Sequence, residues 1–120
     1  MLSLPASVRI VLCLQPTDMR RSFDGLAMMV EHILEESPLS GHLFVFCNKR
    51  RNRVKILWWE RGGLAIWYKR LEEGTFRFPG ATDDESRSEV EAADLLALLE
   101  GIDLSQVKRQ KRYAPRAIPK

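Results

Sequence analysis

Little in this sequence belongs to metal, redox or covalent chemistry. It has two cysteines, Cys13 and Cys47, and no CxxC pair, so the usual zinc signature is missing. Both cysteines lie inside apolar runs, the setting of buried free thiols in a reducing compartment, with a disulfide between neighbouring strands as the minor alternative. The two histidines, His32 and His42, have no Cys or His partner at ligand spacing. No glycine-rich phosphate loop and no nucleophile elbow is present. Asp18, Asp24, Glu60 and Glu72 lack diagnostic spacing for a two-metal site, which makes a small metal-dependent nuclease the least favoured reading. No cofactor and no metal are expected.

Long apolar runs are also missing. Nothing approaches the ~18 residues of a membrane span. The apolar start of the chain has no basic segment before it, so a signal peptide is not expected. The expectation is a cytoplasmic protein without a membrane partner, associated with the nucleoid if it binds DNA.

What is there suits one domain. The chain has 120 residues, 45% hydrophobic and 29% charged, enough to bury roughly two-thirds of its unfolded surface around one core. The net charge of +3 permits a nucleic-acid partner without requiring one.

Residues 8–14, VRIVLCL, are short and rich in β-branched side chains, and read as a strand ended by Gln15-Pro16. Thr17 or Asp18 then offers a helix N-cap. Over residues 19–36 the apolar period becomes helical, with Phe23, Leu26, Ala27, Val30, Ile33 and Leu34 on one stripe. Gly25 costs about 1 kcal/mol there relative to Ala, which predicts close approach to another backbone, the sheet. Ser37-Pro38 ends the helix.

Residues 41–79 organise the chain as an antiparallel meander. LFVFC at 43–47 is apolar throughout, as in a strand covered on both faces or central in its sheet. A polar turn over 48–52 follows, then a strand over 53–60 with Val54, Ile56 and Trp58 on one face. Gly62-Gly63 is the expected hairpin turn, and a strand over 64–71 returns. Glu73-Gly74 turns again, and TFRF at 75–78 reads as a short last strand. Residues 81–88 read as an acidic loop. Ser88 and Glu91 make a capping box for a second amphipathic helix through Leu95, Leu98, Leu99 and Ile102, ended by Gly101.

After Asp103 no acidic residue follows, while Lys108, Arg109, Lys111, Arg112, Arg116 and Lys120 do. With Pro115 and Pro119 this predicts an adaptable basic tail over 105–120 behind a folded domain over 1–104. The predicted fold class is α+β: a single antiparallel-dominated sheet of four to five strands with two helices packed on one face, in the order β-α-β-β-β-β-α. Strand order is not legible, and no internal repeat is present.

The stretches PTDMRRSFDGLAMMV, SGHLFVF, RVKILWWERGGLAIWYKRLEEGTFRFP and LLALLEGID, in that order, resemble the TnpB accessory proteins of IS-sixty-six-type bacterial insertion sequences. This is the small protein encoded beside a much larger transposase, not the RNA-guided nuclease that shares the label. The resemblance spans roughly residues 8–104. It implies a part in transposition, alongside the transposase and other proteins of the same element, and it implies no reaction for this chain. Residues matching the family pattern are Asp18, Arg20, Phe23, Asp24, Gly25, Gly41, His42, Trp59, Lys69, Arg70 and Pro79. The chain departs from that pattern at residues 13–15, where small residues and glycine are more usual.

The chemistry to be placed is cationic and aromatic. Lys49, Arg50, Arg51, Arg53 and Lys55 form a basic hairpin able to follow a phosphate backbone; the plain alternative is a solvated hairpin tip. Arg20 and Arg21 oppose the helix dipole at a helix start, which points to a phosphate or carboxylate partner; an Arg20–Asp24 pair is the alternative. Lys69 and Arg70 either join the basic surface or make cross-strand ion pairs. Lys108, Arg109, Lys111 and Arg112 can add non-specific affinity for DNA. Trp58, Trp59 and Trp67 are candidates for stacking on bases or for burial against a protein partner or a second copy of the chain. A positive surface through Arg51, Lys55 and Lys69 would favour DNA. A contiguous exposed patch around Trp58 or Trp59 would favour a pure protein–protein adaptor.

Overall fold

A computed structural model describes residues 7–78 and 86–100. The predicted basic tail over 105–120, residues 81–85 of the predicted loop, and Pro79, Gly101 and Ile102 lie outside the described residues. The elements run β1 (Ile10–Cys13), α1 (Phe23–His32), β2 (Leu43–Cys47), β3 (Arg53–Glu60), β4 (Gly63–Arg70), β5 (Arg87–Val90) and α2 (Ala92–Leu99). The five strands form one sheet in the order β4-β3-β2-β1-β5. The class is α+β with the predicted order of elements.

Apolar patterning explains which strands are central. Every residue of β1 and of β2 is buried, and both strands lie inside the sheet. They pair in parallel, Val11 opposite Phe44, because the connection between them contains α1 and crosses over the sheet. The other pairings, β1 with β5, β2 with β3 and β3 with β4, are antiparallel.

The two helices lie on opposite faces of the sheet, not on one. Leu26, Met29 and Val30 of α1, with Leu34 just beyond it, pack on Val11, Cys13, Phe44, Phe46 and Leu57. Leu95, Leu98 and Leu99 of α2 pack on Ile10, Leu12, Leu43, Val45, Val54 and Ile56. Alternate side chains of one strand point to opposite faces, so β1 and β2 each feed both cores. Cys13 and Cys47 are free and sit in different cores, which removes the disulfide alternative. Burial pushes the Cys47 thiol up to about 11 and raises that of Cys13 as well.

The fifth strand is not TFRF. Residues 75–78 have no strand structure; Phe76 instead buries its ring in the α2-side core while its N–H donates to the Arg51 carbonyl at 2.7 Å. The fifth strand is RSEV, whose Val90 pairs with Ile10 and whose Arg87 pairs with Cys13. Its polar composition reads as loop, and pairing to an otherwise open β1 edge overrides that. The capping box moves with it: Glu91 is the N-cap and Asp94 its reciprocal partner.

Turn chemistry also shifts the hairpin by one position. Glu60 pairs with Gly63, leaving Arg61 and Gly62 as the two turn residues, with φ of +50° and +86°. A type I′ turn needs positive φ at both, and Gly62 meets the more demanding value without strain. At Gly25 the nearest neighbour of an added side chain is Arg21, not the sheet backbone. A Cβ there would lie 3.1 Å from Cβ of Arg21, so the crowding is local to the helix start.

One ion-pair cluster ties the far edge together. Glu36 bridges Arg9 at 3.0 Å and Arg87 at 2.7 Å. Glu89 pairs with the same two arginines. Arg87 also donates to the Leu34 carbonyl at 2.6 Å, and His42 Nδ1 accepts the Arg9 N–H at 2.9 Å. The family-pattern residue His42 therefore fixes the lead-in to β2 against that of β1.

Candidate nucleic-acid interface

Two turns at the same end of the sheet build a cationic groove. The first covers residues 16–22, between β1 and α1. Its Thr17 N–H donates to the Cys47 carbonyl at 2.8 Å, docking the turn on the end of β2. Asp18 accepts the Arg20 N–H at 2.9 Å and grips the Arg20 guanidinium through Oδ2 at 2.7 Å. Asp18 thus caps a turn rather than the helix. The helix starts after Ser22 without a side-chain cap, and Arg20 pairs with Asp18, not Asp24. Hydrogen bonding from the Arg20 guanidinium, reinforced by its N–H, holds the Asp18 carboxyl down to about 2.

The second turn covers residues 48–52, between β2 and β3. Asn48 organises it from within: Oδ1 accepts the Asn52 and Arg53 N–H groups, both at 3.0 Å, and Nδ2 donates to Asn52 Oδ1 at 2.8 Å. Arg51 takes the left-handed conformation at φ +62°. Its guanidinium lies 5.4 Å from the Phe78 ring centre. Lys49 and Arg50 are left exposed at the tip.

Between the turns lies an open groove of about 450 Å³, lined by Pro16, Thr17, Asp18, Met19 and Arg20 on one wall and by Asn48, Lys49, Arg50 and Arg53 on the other. Lys49, Arg50 and Arg53 have no carboxylate partner among the described residues. Arg53 donates instead to the Tyr68 hydroxyl at 2.9 Å. Directly opposite Arg53 on the next strand stands Arg70, which bonds Glu72 at 2.9 Å. Like charges facing each other across a ladder are unfavourable unless an anion lies nearby.

The remaining candidates separate by face. Lys55 points to the α1 side and is 8% exposed. Its ammonium donates to the carbonyls of Met19 at 2.8 Å and Arg21 at 2.7 Å, and lies 4.8 Å from the Tyr68 ring centre. It is a strut under the first turn and is not open to a ligand. Lys69 points to the α2 side and donates to the Leu99 carbonyl at 3.0 Å, where a cation complements the C-terminal end of a helix. A positive surface through Arg51, Lys55 and Lys69 therefore does not form; Arg20, Lys49, Arg50 and Arg53 form one instead. Arg21 is exposed beside that groove. Lys108, Arg109, Lys111 and Arg112 lie outside the described residues.

The tryptophans do not make one patch. Trp58 and Trp67 pack on the α2-side core, and the Trp58 indole N–H donates to Glu60 at 2.9 Å. Trp59, one residue along, faces the other way and is half-buried. The exposed aromatic beside the groove is Tyr68, at 46% exposure. No sequence signal marks Tyr68 as part of the site, because its neighbours Arg53 and Lys55 come from the other strand of the hairpin. Among the described residues no three of His, Cys, Asp and Glu gather as a metal site, and no helix is long and apolar enough to cross a membrane.

A family model described as IS66 Orf2 like protein matches residues 8–109. The chain is 35% identical over 108 residues to the uncharacterized protein y4jC of Sinorhizobium fredii strain NGR234, covering 90% of this chain and 91% of that protein. It is 36% identical over 103 residues to the uncharacterized protein y4hO of the same strain, covering 86% and 88% respectively. No solved structure matches it.

Proposed function

The chain belongs to the IS66 Orf2-like family, and from that membership we propose that it binds nucleic-acid phosphates while assisting the transposase of an insertion sequence. Membership makes it an accessory protein associated with transposition. The finer reading is that the groove between residues 16–20 and 48–53 grips the phosphate backbone and that the chain catalyses no step itself. The observation that carries this reading is the convergence of Lys49, Arg50 and Arg53 on one concavity without carboxylate partners among the described residues. Cations held in a preorganised turn bind phosphates with little ordering cost, and the term is independent of sequence. The tail cations extend the same interaction.

The test is binding to duplex DNA, an element end against a scrambled duplex, over a salt series. Binding to both, with steep loss at higher salt, is the expected result. Lys49→Ala with Arg50→Ala should reduce the salt slope by about two. An unchanged slope and affinity in the double variant would remove the groove from the reading. A pure adaptor would bind neither duplex even at low salt while still associating with the transposase.

A further inference from the structure

We propose that the groove and the neighbouring sheet face form one site for an unpaired nucleotide strand, with Tyr68 as the platform for a base and the groove as the seat of its phosphates. The proposal rests on the phosphate-binding reading above and narrows its ligand. Three observations place the parts together. Arg53 lines the groove and bonds the Tyr68 hydroxyl at 2.9 Å, so groove and ring are adjacent. Arg53, Lys55, Tyr68 and Arg70 share the α1-side face of the β3–β4 hairpin, Arg53 opposite Arg70 and Lys55 opposite Tyr68. Tyr68 is 46% exposed, whereas the Lys55 that sits over its ring is 8% exposed. The ring face on Lys55 is therefore the covered one, and its exposed surface lies on the other side.

A ring fixed in this way suits stacking. The Arg53 bond and the Lys55 ammonium limit its rotation, so little freedom is lost when a base lands on it. Every base has a flat π-face, which makes such a platform tolerant of sequence. Bases in a duplex are already stacked on one another and cannot lie flat on a side chain of a sheet surface. An unpaired strand can, and sheet faces that carry an exposed aromatic between cations bind single strands in this manner. The groove volume of about 450 Å³ falls in the range of sites for small ligands, ~300–1,000 Å³, and suits a short stretch of one strand.

The experiment measures fluorescence anisotropy of labelled twelve-nucleotide oligo-dT, oligo-rU and a duplex of equal length, with wild type, Tyr68→Ala and Tyr68→Phe. Tyr68→Ala should weaken single-strand binding about tenfold and change duplex binding less than twofold. Tyr68→Phe should stay within threefold of wild type on every ligand, because the ring remains. The tighter of the two single strands identifies the source of the unpaired strand. In the wild-type protein, photo-cross-linking with 5-iodouracil in place of one base should map to Tyr68, which needs no variant to fold. Equal loss on single and double strands, equal loss in Tyr68→Phe, or a cross-link confined to other residues would overturn the platform. If Lys49→Ala with Arg50→Ala weakens binding while Tyr68→Ala does not, the platform fails and the phosphate groove stands. If wild type binds no oligonucleotide, both fail.

Discussion

Lys55 donates to the carbonyl oxygen of Arg21 across 2.7 Å, from the middle of β3 to the turn that leads into α1. The same ammonium holds the Met19 carbonyl at 2.8 Å. A buried cation without a carboxylate is costly unless its donors are filled; here two carbonyls and the Tyr68 ring fill them. Lys55→Met keeps most of the aliphatic stem and deletes the donors. It should cost about 2 kcal/mol of stability, the order expected for hydrogen bonds to a charged group, and it should weaken nucleic-acid binding by loosening the wall that carries Arg20. Urea denaturation and the binding assay together check this. A loss below about 0.5 kcal/mol, with affinity unchanged, would deny the strut.

The pH dependence follows from Glu36 and Glu89. Hydrogen bonds from Arg87 to Glu36 and from Arg9 to Glu89 lead the causes that hold both carboxyls below their ordinary value of 4.5. The folded state therefore binds fewer protons than the unfolded state near that pH. Its extra stability is present above the ordinary carboxylate range and is lost as pH falls through 4.5 toward the lowered values. Glu36→Gln should lower stability at neutral pH and flatten the decline in acid. Parallel acid declines in the two proteins would show that the ion-pair cluster does not govern it.

How far the sequence could be read depended on whether a residue's role was local. Strand β2 follows from its unbroken apolar run, and β3 and β4 with the faces of Ile56, Trp58 and Trp67 follow from apolar alternation. The all-apolar runs of β1 and β2 carried a further message, that both sheet faces are covered, and this is why the helices must lie on opposite sides. RSEV has no strand pattern of its own; the open edge of β1 recruits it. The candidate cations could be named but not sorted. Whether Lys55 or Arg53 reaches solvent depends on where the turn at 16–22 docks, and that docking rests on Thr17 meeting Cys47, residues thirty positions apart. Tyr68 was hidden for the same reason, since its neighbours on the site come from another strand and another turn.

Lys69 separates a structural cation from a binding one. It lies on the α2 side and donates to the Leu99 carbonyl at 3.0 Å. Lys69→Met should cost about 0.5–1.5 kcal/mol of stability through loss of that bond and of its interaction with the helix end. Affinity for nucleic acid should stay within twofold, because the sheet stands between Lys69 and the groove. A fall in the salt slope by about one would place Lys69 among the phosphate contacts instead.

Asp18 acts against the groove that it helps to build. It is the one carboxylate among the described lining residues, and its Oδ2 neutralises Arg20 at 2.7 Å. A phosphate entering the groove competes with that carboxylate for the guanidinium. Because the carboxyl is held down to about 2, mild acid does not discharge it, and the competition persists across the whole range in which the protein would be assayed. Asp18→Asn separates the two roles. An amide oxygen can take over the Arg20 N–H that Asp18 accepts at 2.9 Å, so the turn is kept, while the negative charge is gone. Affinity for duplex and single-stranded DNA should rise about three- to tenfold at low salt, with a salt slope steeper by about one. If affinity is unchanged while the turn is intact, Arg20 contacts no phosphate, and the binding wall narrows to Lys49, Arg50 and Arg53.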